Sequence, residues 1–422
     1  MEIFRRSQQA EGLTREELSA AVEASLQGRD LHKVLILPPD FTRYHSNAGL
    51  LTNLYYHFLT DAGVQVDILP ALGTHVPVTE EEMDLMFGDI PHDRFLIHHW
   101  RTDVVKLGEV PASYLEEVTE GLWHDPIDVE VNRLVMDPTY DLVLSIGQVV
   151  PHEVVGMANY SKNIFVGTGG REMINKSHML SAICGMEKAL GVIDSPARKL
   201  YDYAQQHFID GKLPLVYLQT VTTREGEEVQ LRGLYIGQSR KPFELAAKLS
   251  QELNIVHVER RAKKVVTYLE PSELKTTWVG NKGIYRTRMT VADGGELLIL
   301  APGIRAFGEN EEMDAMTRKY GYTGTPHILE LYRQGAFEGR LMSAAHLIQG
   351  STEGRFTVTY ATKPDLMSQE EIESVGYQWA DYNEVSKRYD PEKLHDGWNI
   401  LPDGEEIYYV GTPALGLWKV DE

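Results

Sequence analysis

Apolar and polar positions alternate between two periods along the first half of the chain. Short apolar runs at Lys33–Leu37, Val64–Leu69 and Leu142–Ile146 read as buried strands. Between them, apolar residues recur at helical spacing. Thr14-Arg-Glu-Glu17 is a capping box, and Leu18–Leu26 reads as the helix it opens. Asn47 is expected to cap a second helix through Leu59, which Gly63 ends, and Thr79 to cap an acidic helix over Glu80–Phe87. Arg94–His98 is a further strand candidate. Strands that alternate with helices predict an α/β fold with a mostly parallel sheet.

Further along, helices are expected over Met179–Leu190, Pro196–Phe208 and Pro242–Leu253, with a hairpin over Val216–Ile236 turning at Arg224-Glu-Gly226. The pattern loosens between Arg260 and Gly280. A domain boundary is placed there, dividing the chain into a larger part, 1–265, and a smaller α/β part, 266–422. The smaller part should hold strands at Glu296–Leu300, Phe356–Tyr360 and Glu406–Val410, and helices near Glu311–Lys319 and Gln369–Val375. There is no internal repeat.

Length agrees with this division, since 422 residues exceed one ordinary domain. Aspartate and glutamate outnumber lysine and arginine 62 to 41, for a formal net charge of -21. That balance argues against nucleic acid and anionic membrane surfaces as partners. An anionic substrate would need its own local arginine or lysine. Cys184 is the single cysteine, so no intramolecular disulfide forms, and a reducing cytoplasm is the expected compartment. The first residues lack the apolar core of a signal peptide, and no run of about 18 apolar residues is present to span a membrane.

Candidate chemistry collects where strands end. Asp40, Thr42 and Arg43 follow the first strand, His75 the second and His152 a third. Ligands of open α/β sheets bind beyond the carboxyl ends of the strands. From Gln148 to Met179 the chain then carries Pro151-His152-Glu153, Lys162 ten residues after His152, and His178 sixteen residues after Lys162, at the opening of a helix. Gly167, Gly169 and Gly170 lie between the last two. A bland reading, a loop whose glycines serve only tight turns, stands beside the functional one.

These pieces resemble the nickel-dependent lactate racemase family. The match lies in Asp40-Phe-Thr-Arg43, Gly73-Thr-His75, Pro151-His-Glu153, Lys162 and His178, all in the family's order. The resemblance covers most of the chain and weakens after Asn281. It implies a racemase or 2-epimerase of 2-hydroxy acids, with the active site in the cleft between two domains. The N-terminal domain would be the cofactor-binding and catalytic one, and the C-terminal domain would lie on the substrate side. Lys162 would carry a nickel-pincer nucleotide through a thioamide link, and His178 would be the protein ligand to nickel. His75 and His152 would be the acid/base pair on opposite faces, and Arg43 would bind the substrate carboxylate. Asp40, Thr42 and the three glycines would contact the cofactor, with backbone approaching its phosphate. Cofactor-synthesis enzymes would be partners, a host lacking them would yield the apo form with a free Lys162, and a homo-oligomer is compatible with the family.

The implied chemistry needs these residue types. The C–H bond of a 2-hydroxy acid has very low acidity, and hydride removal avoids a carbanion. A planar keto acid then accepts hydride on its other face. Two faces need two bases, and imidazole titrates in the right range. The difficult bond chemistry belongs to the cofactor, while the protein supplies position and charge.

One segment departs from the family pattern. Where lactate racemases have Tyr-Gln-x-x-Lys, this chain has Tyr285-Arg286-Thr-Arg288-Met289. Tyr285 is retained, and Arg286 or Arg288 would replace the missing lysine charge. The change points to a substrate larger than lactate, such as a sugar acid. Trp379 and Trp398 are candidates for a substrate-side tryptophan, while His98 and His99 read as structural. Two other classes compete: a zinc-dependent hydrolase using His75, His152 and His178, and a non-catalytic sugar-acid or nucleotide-binding protein. The absence of a His-Glu-x-x-His helix weighs against the zinc reading.

Overall fold

The apolar runs of the N-terminal half become neighbouring strands, because a strand covered on both faces needs apolar side chains at successive positions. The computed structural model describes residues 2–225 and 228–421. Its first sheet contains β1 (Ile3–Arg6), β2 (Lys33–Leu37), β3 (Gln65–Ile68), β4 (Leu142–Gln148), β5 (Leu215–Glu225) and β6 (Glu228–Gly237), in the order β1-β6-β5-β4-β2-β3. The run β5-β4-β2-β3 is parallel, and β6 and β1 pair antiparallel at one edge. The hairpin of β5 and β6 is present as expected, and its turn at Gly226 lies outside the described residues.

Three helices follow the early strands: α1 (Arg15–Leu26), α2 (Ala48–Asp61) and α3 (Glu80–Phe87). Thr14 and Thr79 both close capping boxes, with Glu17 and Glu82 reaching back to the cap backbone. Leu51, Tyr55 and Leu59 pack with Val34, Ile36, Ile68 and Leu144 in one buried cluster. Burying side chains of this size stabilises by about 1.5–3 kcal/mol each.

Two local expectations change. Asn47 makes no side-chain cap; it sits in the left-handed region (φ 58) and joins a 3-10 turn, Phe41–Ser46, to α2. Asparagine tolerates that conformation better than most residues. Arg94–His98 is no strand: His92–Arg94 is a 3-10 turn, and Phe95 makes one isolated bridge to Ile68. His98 instead points inward, donating from Nε2 to the Gly169 carbonyl and accepting at Nδ1 from the Asn132 amide. It is structural, as its sequence context suggests.

The chain continues through α4 (Arg171–Cys184), α5 (Pro196–Ala204) and α6 (Lys241–Asn254). It divides into two compact units, the first Met1–Leu180 with Ala189–Asn254, the second Ser181–Lys188 with Ile255–Glu422. The second unit has its own sheet of β7 (Ala262–Tyr268), β8 (Val291–Leu300), β9 (Thr357–Thr362), β10 (Gln378–Asp381), β11 (Gly397–Ile400) and β12 (Glu406–Val410). Their order is β10-β9-β8-β7-β12-β11, parallel except for the last pair. The division falls at Asn254/Ile255 rather than within 260–280, because β7 is a central strand of this sheet. Residues 181–188 join the second unit, where Glu187 accepts from Arg288 Nε (2.8 Å) and Arg355 Nη1 (2.9 Å).

Helices α2 and α3 approach at Gly49, where an added Cβ would lie 1.9 Å from the Met86 carbonyl oxygen. Alanine favours a helix interior by about 1 kcal/mol over glycine. Here the contact is with backbone and cannot be relieved by a rotamer change. Gly49→Ala should therefore lower the thermal midpoint in a calorimetric scan, and a raised midpoint would contradict this packing.

Candidate active site

The site begins at the carboxyl end of β2. Asp40 is buried and caps the 3-10 turn, accepting from the Thr42 amide (3.1 Å) and hydroxyl (2.6 Å). Its other oxygen accepts from His75 Nδ1 at 2.5 Å. Burial by itself would raise the Asp40 pKa. The charge and hydrogen bond of His75, with Thr42 and Arg43, outweigh it and hold the carboxyl below its ordinary value. His75 lies past β3 in a turn pinned by the Gly73 amide donating to the Gly167 carbonyl (2.8 Å). With Nδ1 donating to Asp40, the neutral ring presents its lone pair at Nε2.

Lys162 is presented by the connection after β4. Asn163, its neighbour, donates to the Leu37 carbonyl (3.2 Å) and to Ser145 (2.9 Å), which places this segment at the end of β2 and against β4. Just upstream, Asn159 and Tyr160 both adopt left-handed backbone (φ 64 and 56). Non-glycine residues there cost about 1–3 kcal/mol each and persist only when their surroundings hold them. Asn159 is held by donating to the Gly147 carbonyl (2.9 Å) and Gln219 (2.7 Å). The Lys162 amine is pushed down to about 8, chiefly by burial and then by the Arg43 charge, with Arg198 adding to both and Glu153 and Asp40 opposing them.

His178 lies within α4, not at its opening, because the helix starts at Arg171. Its Nδ1 donates to the Ile174 carbonyl one turn back (2.7 Å), which leaves Nε2 as the basic nitrogen. Burial, with the charges of Lys162 and His75, lowers its pKa to about 4 against the opposing effects of Ile174 and Glu153. A neutral imidazole with an oriented Nε2 has the form of a metal ligand.

His152 is buried, and its Nδ1 accepts from the Val154 amide (3.1 Å). The neutral ring therefore carries its proton on Nε2. His75 and His152 are set in opposite tautomers, one presenting a lone pair and the other an N–H. Glu153 lies 4.0 Å from His152 Nδ1. The mutual charge effects among Asp40, Arg43, His75, Glu153, Lys162 and His178 place the strand-end motifs of the first unit around one locus.

The three glycines approach the protein's own atoms. A Cβ on Gly169 would lie 1.8 Å from the Phe165 carbonyl oxygen, on Gly167 2.7 Å from Ala71 Cβ, and on Gly170 2.2 Å from the Glu130 carboxylate. That carboxylate accepts from the Glu172 amide (3.0 Å) and occupies the first turn of α4.

Tyr285, Arg286 and Arg288 belong to the second unit. Tyr285 is buried and its hydroxyl bonds His346 Nδ1 (3.0 Å), while His346 Nε2 meets the Tyr322 hydroxyl (2.8 Å) and Trp278 stacks on the ring. Arg286 is fully enclosed. Arg288 is engaged by Glu187 and by the Gln349 carbonyl (3.1 Å). Trp379 donates to Thr362, and Trp398 packs edge-on against Tyr408.

Sequence reading placed Asp40 beside the cofactor and missed its bond to His75, since the two are 35 residues apart. It also missed Glu130 and Arg198. Their contacts lie across the fold, and only a charged residue inside an apolar stretch could have flagged them. Among the described residues, no group of three or more His, Cys, Asp or Glu side chains is arranged to hold a metal ion.

Fold and site define a class: an α/β protein of two units whose first unit carries an aspartate-bound histidine, a second histidine and a lysine of lowered pKa after the strands of its sheet, with a neutral histidine on α4. Residues 12–191 match the family model for the lactate racemase N-terminal domain. The match covers less than half of the chain and supports a relationship to the lactate racemase family. It is similar to the crystal structure of a Thermotoga maritima protein, with a TM-score of 0.85 and 25% identity over 98% of this chain and 100% of that one. The lactate racemase apoprotein from Thermoanaerobacterium thermosaccharolyticum shares the fold, with a TM-score of 0.69 and 19% identity over 97% of this chain and 90% of that one. No curated protein matches the chain. This similarity supports a racemase- or epimerase-type reaction. Among the described residues, no helix is long and apolar enough to cross a membrane.

Below about pH 8 the Lys162 amine is charged in both folded and unfolded chains, and the fold bears the full penalty of burying it. Between about 8 and its ordinary 10.5 the folded amine is neutral while the unfolded one keeps its proton, and the penalty is relieved. Lys162→Met should therefore raise the unfolding midpoint at pH 7, with a gain that shrinks toward pH 10.5. A gain independent of pH would show that the amine is not depressed.

Proposed function

We propose that this protein is a racemase or 2-epimerase of 2-hydroxy acids that works with a nickel-pincer nucleotide attached to Lys162. The observation that carries the reading is the Asp40–His75 pair gathered with Lys162 and His178. The residues fit such a group in two respects. Lys162 offers an amine with a large neutral fraction near pH 8, suited to a covalent link. His178 offers one oriented Nε2, and the described residues assemble no further metal-holding set, so a metal here would draw its other donors from the group that carries it. The same point weighs against a zinc hydrolase built on the three histidines.

When bound, the nucleotide would supply the hydride acceptor for C2 of the substrate. The chain's own residues do the rest. Arg43 offers a guanidinium to the substrate carboxylate. His75 Nε2 takes the hydroxyl proton, and Asp40 stabilises the imidazolium that forms. His152 presents Nε2–H toward oxygen from its own position, and the opposite starting tautomers give one proton acceptor and one donor before turnover begins. The substrate reading rests on Arg286 and Met289 standing where lactate racemases carry glutamine and lysine. A planar guanidinium suits a polyhydroxylated acid better than a methyl group.

The attachment is checked by denaturing mass spectrometry of protein co-produced with the cofactor-making enzymes. An adduct on Lys162 is expected, with nickel lost in His178→Ala; full racemisation by a Lys162→Ala variant without bound nickel would sink the reading. Asp40→Asn and His75→Ala should each lower kcat by about 10²- to 10⁴-fold, as expected for loss of a positioned acid/base group. Assays of the loaded enzyme with lactate, malate, gluconate and mannonate should give the highest kcat/KM with a sugar acid. A preference for lactate would end the substrate reading alone.

A further inference from the structure

The turn that presents Lys162 is gripped from α5 by one fully buried arginine. Arg198 donates from Nη1 to the Ser161 hydroxyl (2.7 Å) and from Nη2 to the carbonyls of Met157 (2.6 Å) and Asn159 (3.0 Å). Asp202, one helical turn further along α5, accepts from the same Ser161 hydroxyl (2.7 Å), and Arg240 Nε anchors Asp202 (3.0 Å). The guanidinium also lies 4.4 Å from the Phe243 ring centroid, and Phe243 stacks on Tyr160 at 5.1 Å. The held stretch therefore runs from Met157 to Ser161, contains both left-handed residues, and ends at the residue before Lys162.

A guanidinium is needed for this geometry. Three acceptors, two backbone and one side-chain, are met by donors in one rigid plane, which an ammonium on a flexible stem cannot reproduce. A buried charge with this many oxygen partners is also strongly destabilising to misplace. Nothing in the proposed proton transfers uses Arg198, so its burial at this point calls for another task.

We propose that Arg198 is the positioning residue of Lys162: it locks the left-handed turn at Asn159 and Tyr160, and so fixes where the lysine amine is delivered. This rests on the reading of Lys162 as the attachment point. The fixed charge of Arg198 works in the same direction as its grip, since it disfavours a second cation at Lys162.

The test uses the full chain without cofactor. Reductive methylation with formaldehyde and a borohydride, followed by peptide mass spectrometry across pH, reads the Lys162 titration directly. The wild type should show a midpoint near 8 at Lys162. Arg198→Lys keeps the charge and loses the fork; Arg198→Met loses both. Each should move the midpoint up toward the ordinary lysine value of about 10.4, and a full return to that value would cut labelling at pH 7 by about 10²-fold. Folded variants with a lowered unfolding midpoint but an unchanged Lys162 titration would make Arg198 structural only and overturn the proposal. If the Arg198 variants do not fold, Ser161→Ala and Asp202→Asn loosen the same grip from its other partners. A rise of the midpoint in these supports the proposal, and an unchanged titration overturns it. A wild-type chain made with the cofactor pathway that carries no adduct on Lys162 would overturn the attachment reading instead, a result that the labelling experiment does not share.

Discussion

A carboxylate buried at the end of a parallel strand is the constraint on which the site depends. Burial of Asp40 disfavours its charge, and the surroundings must return more than that penalty for it to stay ionised. They do so with the Thr42 amide and hydroxyl and with His75. Each partner is thereby fixed in turn. The 3-10 turn after β2 is capped, the His75 ring is held in one tautomer, and the end of β3 is tied to the end of β2.

The basic groups around this anion are biased the other way. Burial lowers the pKa of Lys162 to about 8 and that of His178 to about 4, so near neutral pH the site combines a retained negative charge, a neutral imidazole and an amine that gives up its proton about pH 8. In a chain of net charge -21, such a balance does not follow from composition. It follows from Arg43 and Arg198 lying near Lys162 and from the depth of the groups themselves. A locus of this kind favours proton transfer and ligand attachment over nonspecific electrostatic attraction.

Close backbone approach holds these groups in register. Gly73 bonds Gly167, which ties the turn carrying His75 to the segment carrying Lys162, and Gly169 lies against the Phe165 carbonyl within that segment. The first turn of α4 is satisfied by Glu130, which leaves its amides committed within the protein. The helix is thereby seated so that His178, in its second turn, faces the same locus. Arg198 secures the remaining side from α5.

Much of the architecture was legible in the sequence. Apolar runs predicted β2, β3 and β4, and Thr14 and Thr79 marked helix starts, because strand burial and capping are local and written in adjacent residues. The motifs at Asp40, His75, His152, Lys162 and His178 were legible as types and spacings. Their pairing was not. That Asp40 bonds His75, that His75 and His152 take opposite tautomers, and that Asn47 adopts a left-handed turn instead of capping α2 are decided by contacts between distant segments. The boundary between the units moved for the same reason: β7 has a weak pattern of its own and becomes a central strand only through its parallel neighbours β8 and β12. Residue type and spacing set which chemistry the chain carries; burial and long-range hydrogen bonds, which exist only once the chain is folded, set the protonation and direction of each group.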